Sequence, residues 1–159
     1  MAAKPVKLSL AVQYGMPAGE LPRWRLRRWV ALAVNAVAQE ARQDFQAVAL
    51  TLRLVDTAEG RRLNRDFRQR DYATNVLTFE YGVDPGGTAS GDILLCVPVL
   101  QREAGEQGKP LLNHAAHLTI HGVLHALGYD HIDPGEARAM EGLEIRILAA
   151  LGIGNPYQL

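Results

Sequence analysis

Three histidines carry the chemistry that this sequence can do. His121 and His125 stand four residues apart in the run HLTIHGVLHALGYDHID, which begins at His117, and His131 closes the set six residues later. On a helix, a spacing of four turns both imidazoles to one face, close enough to share a metal ion. Gly128 falls where such a helix must end, because glycine adopts the left-handed cap conformation at low cost; the chain can then turn back and bring His131 to complete a three-nitrogen face. Three protein ligands leave the fourth tetrahedral position to water, the arrangement of a catalytic zinc rather than of a closed structural one. A single zinc ion lowers the pKa of water toward about 7 and polarises a substrate oxygen, so hydrolysis is the chemistry expected.

Two more histidines share that helix. At about 100° per residue, His114, His117, His121 and His125 project within an arc of roughly 80°. His117 is a candidate catalytic group beside the metal pair, whereas His114 is expected to line the helix packing. Asp130, directly before His131, either orients a histidine through its second ring nitrogen or caps the turn after Gly128. The general base stays open among His117, Asp130, Asp92 and the activated water itself.

The spacing H-x-x-x-H-x-x-G-x-x-H is similar to that of the metzincin proteases, which carry a glutamate directly after the first histidine as general base. Here that position is Gly122, so peptide hydrolysis is the second reading rather than the first.

The full string HGVLHALGYDH resembles the signature H-G-x-L-H-x-x-G-Y-D-H of the YbeY family, bacterial metal-dependent endoribonucleases of ribosomal RNA maturation. Upstream, LNRDFRQRDYATNVLTF (63–79) and Gly91-Asp92-Ile93 also fit, as do Met140 through Glu144 and the tail ALGIGNPY downstream. The likeness covers residues 60–157; the first 55 support it only by element order. It implies a zincin-like metal-binding helix in which His121, His125 and His131 hold one Zn2+, with Arg68 facing the substrate. It further implies a single-strand-specific endoribonuclease that matures the 3′ end of small-subunit ribosomal RNA and serves ribosome quality control. Its partners would be ribosomal RNA and the small ribosomal subunit or its assembly factors, with no membrane and no DNA. A guanidinium at Arg68 suits phosphodiester cleavage, where negative charge builds on the phosphate oxygens. Arg61, Arg62, Arg65 and Arg70 lie close by and, partly offset by Asp66, would form a local basic patch. A non-catalytic assembly factor with a structural metal is the third reading.

These side chains need elements to hold them. Period-2 runs at 6–13 and 47–54 read as strands, as do VLTFEY (76–81) and DILLCVPV (92–99), the last two joined by the turn-rich GVDPGGTASG as an antiparallel pair. Helical periodicity runs from Pro22 to Ala41, and Asp56 with Glu59 makes a capping box that opens a helix through Phe67. Further helices are expected from Pro98 to Gly108, from Leu111 to Leu127, and from Pro134 to Leu151. The order of elements gives an α+β fold, a mixed sheet of about four strands packed with about five helices, as one domain over residues 1–159. Tyr129, Leu124 and Leu127 are expected to pack this helix on the sheet, with Met140 beneath the metal site.

Composition sets outer bounds. Of 159 residues 48% are hydrophobic, enough for one sizeable core. Seventeen basic and seventeen acidic side chains cancel, so any affinity for nucleic acid must come from a local patch. Fourteen of the basic residues are arginine, including Arg23, Arg25, Arg27 and Arg28 on the first helix, which either face solvent or contact RNA. The single cysteine, Cys96, excludes an internal disulfide and sits in an apolar run as a structural residue. No apolar stretch reaches the roughly 18 residues of a membrane span, and a cytoplasmic location is expected.

Overall fold

The computed structural model describes residues 6–40, 44–130 and 132–158. The chain forms, in order, β1 (Lys7–Tyr14), α1 (Arg23–Ala38), β2 (Ala47–Val55), α2 (Thr57–Arg68), β3 (Val76–Val83), β4 (Thr88–Cys96), α3 (Val97–Gln107), α4 (Leu111–Ala126) and α5 (Pro134–Ala150). The strands make one sheet in the order β1-β2-β4-β3, with β1, β2 and β4 parallel and β3 antiparallel to β4. This is the α+β architecture expected from the sequence, in the same order of elements.

Alternation sets the faces. Val48, Leu50, Leu52 and Leu54 of β2 are buried while Ala47, Ala49, Thr51 and Arg53 between them are half-buried, so one face of the sheet takes the larger core. Helices α1, α4 and α5 join that core, which includes Trp29, Val30, Val34, Ile120, Leu124 and Leu148. At the edge of the sheet, Arg23 and Arg27 of α1 donate to the carbonyls of Val12 and Leu10 at 3.3 and 3.2 Å. Two of the four clustered arginines thus cover unpaired strand carbonyls, and a third, Arg25, stacks 4.6 Å from the ring of Trp24.

Two boundaries differ from the sequence reading. β4 begins at Thr88 and ends at Cys96, so Val97, Pro98 and Val99 are the first turn of α3 rather than the end of a strand. Proline has no N–H to lose at the start of a helix, and the buried run ILLCVPV gave no period to divide it. The hairpin turn is also shorter, because Asp84 caps it: its Oδ1 accepts from Thr88 N and its carbonyl from Gly87 N, both at 3.0 Å. The segment TASG therefore pairs with β3 instead of looping.

α4 lies unusually close to the sheet. A Cβ at Gly122 would stand 2.7 Å from Ile93 Cγ2, and one at Gly91 would stand 2.8 Å from the Phe79 carbonyl and 2.9 Å from Ala126 Cβ. The helix stops as expected, with Leu127 as cap and Gly128 at φ +100°. Tyr129 is buried beyond it, and Met140 of α5 is buried in the same core.

Candidate active site

The four histidines of α4 differ in depth. His114 is 4% exposed and its Nε2 meets Glu103 Oε1 at 2.9 Å, a carboxylate also held by Asn75 Nδ2 at 3.1 Å. Burial lowers the His114 pKa against the opposing pull of Glu103, so this histidine is a packing residue. His121 and His125 open outward: their rings stand 4.9 Å apart at 72°, and both line a cleft of about 380 Å³ with Arg68, Arg70, Tyr72 and Thr78. His131 lies outside the described residues.

Arg68 is the last residue of α2, fixed in place by the left-handed cap at Gln69. Its Nη2 donates to the carbonyl of Thr78 at 2.5 Å and its Cζ lies 5.5 Å from the ring of Phe79, so the guanidinium is anchored on β3 at the cleft wall. Of its arginine neighbours, Arg61 forms a two-pronged pair with Asp71 at 2.8 and 2.9 Å, and Arg65 meets Asp66 at 3.3 Å. Arg70 is the other arginine lining the cleft.

Behind His121 stands a residue that spacing arguments missed. Glu144 of α5 is fully buried; its Oε1 accepts from His121 Nδ1 at 2.6 Å and its Oε2 accepts from the Tyr157 hydroxyl. His117 Nε2 lies 3.3 Å from that hydroxyl and 3.5 Å from Glu144 Oε1. Burial alone would raise the Glu144 pKa, but the contacts its oxygens make with His117, His121 and Tyr157 outweigh it and bring the carboxyl down to about 2. The same burial and the adjacent carboxylate push the Tyr157 hydroxyl far above its ordinary value. The donor sequence is consistent throughout: His117 Nε2–H gives to Tyr157, Tyr157 gives to Glu144, and His121 Nδ1–H gives to Glu144. His117 Nδ1 is then the acceptor nitrogen, buried with no hydrogen-bond partner among the described residues.

Two donor sets compete for a metal. His117, His121 and Glu144 bring ligand atoms within 4.8 Å of one another, a group that could hold an ion. However, its His121–Glu144 distance of 2.6 Å is that of a hydrogen bond, whereas two donors on a tetrahedral zinc at about 2.1 Å stand about 3.4 Å apart. As arranged, the three are a hydrogen-bonded support, and the pair that opens on the cleft is His121 with His125. The donor chemistry fits a metal there: ligating histidines characteristically donate the other ring N–H to a carboxylate, which fixes the tautomer. Glu144 is that carboxylate for His121.

Asp130 accepts from Ile132 N at 2.9 Å, the turn-capping arrangement. Asp92 is corrected as a candidate base. Gly91 and Ile93 face α4, so strand alternation turns Asp92 to the opposite face of the sheet, where Tyr81 donates to it at 2.7 Å. At Gly122, the position of the metzincin glutamate, even a Cβ meets Ile93, so no side chain reaches the cleft from there.

Known proteins resemble this chain along its length. Residues 17–152 match the family described as "Endoribonuclease YbeY". The Endoribonuclease YbeY of Bordetella avium is 64% identical over 159 residues, covering 100% of this chain and 99% of that protein. The Endoribonuclease YbeY of Bordetella pertussis is 64% identical over 151 residues, covering 95% and 96%. The solution structure of TM1509 from Thermotoga maritima superposes with a TM-score of 0.58 at 21% identity over 94% of this chain and 99% of that one, a likeness of fold.

Proposed function

This chain belongs to the YbeY endoribonuclease family, and from that premise we propose that it hydrolyses phosphodiester bonds of single-stranded ribosomal RNA with one zinc ion. The observation that carries the reading is the convergence of His121, His125 and the anchored Arg68 on one cleft, with Glu144 behind His121. His121, His125 and His131 would hold the zinc, which when bound supplies Lewis acidity and a nucleophile at neutral pH.

The chain's own residues do the rest. Glu144 holds the proton of His121 on Nδ1, leaving Nε2 as the lone-pair nitrogen. Arg68, held to the Thr78 carbonyl, supplies a guanidinium that need not reorganise as charge builds on the phosphate oxygens. Its removal is expected to cost about 10²–10³ in kcat. In this reading His117 serves through Tyr157 and Glu144, and Asp130 shapes the turn toward His131. The domain, over residues 1–159, acts in the cytoplasm on the 3′ end of small-subunit ribosomal RNA and in ribosome quality control, with the small subunit or its assembly factors as partners. Among the described residues no helix is long and apolar enough to cross a membrane.

The test uses purified, metal-quantified protein, with Arg68→Ala and His121→Ala beside it, on structured ribosomal RNA. New RNA ends made by the wild type and lost in Arg68→Ala with its zinc retained support the reading. Ends made equally by all three proteins assign the cutting to a contaminant and leave the assembly factor. Cleavage of casein but not of RNA turns the reading to a peptidase, which the packing at Gly122 disfavours.

A further inference from the structure

We propose that Tyr157, in the chain after α5, is a positioning residue that sets the metal affinity of His121 through Glu144. The inference rests on the zinc reading above, in which His121 is a ligand. Glu144 is fully buried and has two oxygens to satisfy. Oε1 is taken by His121 Nδ1 at 2.6 Å, which leaves Oε2 dependent on the Tyr157 hydroxyl. A carboxylate held at both oxygens cannot rotate about its last torsion, so the Nδ1–H of His121 has a fixed acceptor and Nε2 keeps its lone pair.

The tail is built to deliver that hydroxyl. Ile153 N donates to Leu148 O at 2.9 Å, which turns the chain off α5, and Tyr157 N donates to Asn155 Oδ1 at 2.8 Å. The Tyr157 ring stands edge-on to His117 at 5.4 Å, and His117 Nε2 donates to its oxygen. A cavity of about 760 Å³ beside this contact is lined by Lys109, Asn113, His117, Ile153, Asn155 and Pro156. Tyr157 is the point at which the tail engages the buried carboxylate, and its hydroxyl makes the connection while the ring stays partly exposed.

Tyr157→Phe removes the hydroxyl and keeps the ring against His117. Zinc affinity is measured by competition with a chromophoric chelator on the full chain, beside wild type, His121→Ala and Asn155→Ala, together with the melting temperature of each metal-free protein. A purely structural tyrosine lowers the melting temperature and leaves the zinc affinity of the folded protein unchanged. The positioning role lowers that affinity by about 10- to 100-fold, and added zinc restores RNA cleavage. Asn155→Ala, which loosens the tail but keeps the hydroxyl, is expected to show a smaller loss in the same direction. It carries the test if Tyr157→Phe does not fold. Loss of zinc in His121→Ala with wild-type affinity in Tyr157→Phe overturns the inference alone. Wild-type affinity in His121→Ala overturns the zinc reading and the inference with it.

Discussion

Replacing Glu144 by glutamine changes one oxygen of a fully buried carboxylate into an NH2 group, and the donors around that carboxylate decide the consequence. The carboxylate accepts at both oxygens, from His121 Nδ1 at 2.6 Å and from the Tyr157 hydroxyl. An amide keeps one acceptor, so one of those donors must face another donor. Either the Tyr157 hydroxyl turns away, or His121 moves its proton to Nε2 and accepts from the amide, which blocks the nitrogen that zinc needs. A hydrogen bond to a charged group contributes about 1.5–3 kcal/mol. Loss of one is worth roughly 10- to 100-fold in zinc affinity, since each factor of ten is about 1.4 kcal/mol. The metal-free fold should suffer less, because removing the charge also removes its burial cost. A net loss of about 1–2 kcal/mol corresponds to a melting temperature lower by roughly 2–8 °C for a chain of this size. Glu144→Leu leaves every donor around it unsatisfied and should cost about 3–5 kcal/mol. Chelator competition and thermal melts of the metal-free proteins read both quantities. Wild-type zinc affinity in Glu144→Gln, or wild-type stability in Glu144→Leu, would refute the role given to the carboxylate.

One chemical change should have opposite signs at two helical glycines. Gly122→Ala forces a Cβ to 2.7 Å from Ile93 and is expected to destabilise by about 1–3 kcal/mol, whereas Gly142→Ala meets nothing within 4 Å and should stabilise by about 0.5–1 kcal/mol; thermal melts decide both. His114→Gln should flatten the loss of stability on acidification. Burial keeps the folded His114 pKa below its unfolded value against the pull of Glu103, with Lys109 and His117 adding repulsion. The unfolded chain then binds the proton first, so this contribution is full above about pH 6.5 and is lost as pH falls to the folded value. Melting temperature against pH in both proteins measures it, and parallel curves would dismiss the histidine. Arg61→Ala should leave the salt dependence of RNA binding unchanged, because Asp71 already occupies its guanidinium; a slope shallower by about 0.7 would make Arg61 a phosphate contact.

The order of elements was legible because most segments are buried on one face only. Period 2 in β1 and β2, helical period in α1, and the Asp56 cap, whose Oδ1 accepts from Glu59 N at 2.8 Å, all stand where the sequence placed them. β4 was harder. From Ile93 to Cys96 it is buried on both faces, so alternation gave no parity there. For the same reason Asp92 stood among the candidate bases, and the strand was extended into α3. His121 and His125 were legible because a helix turns spacing directly into proximity. Glu144 was not, since 23 residues separate it from His121 and only packing joins α4 to α5. A signal was nonetheless present. Met140, Leu143, Glu144, Ile147 and Leu148 follow the i, i+3, i+4, i+7, i+8 stripe of a buried helix face, and a carboxylate on such a stripe requires partners inside.

The arginine count misleads in the same way, because what matters for RNA is how many guanidiniums line the cleft. Arg23 and Arg27 serve strand carbonyls, Arg53 serves Glu59, Arg61 serves Asp71, and Arg146 serves Glu40. The cleft itself keeps Arg68 and Arg70. On a single strand two neutralised phosphates give a salt slope of only about 1.4, which is little affinity for a free RNA and almost no selection of sequence. A chain of zero net charge with so small a basic wall is suited to cut what is brought to it. On the proposed reading, the choice of cleavage point then rests with the particle that presents the RNA, and the cleft supplies the rigid histidine, carboxylate and guanidinium geometry that the bond meets on arrival.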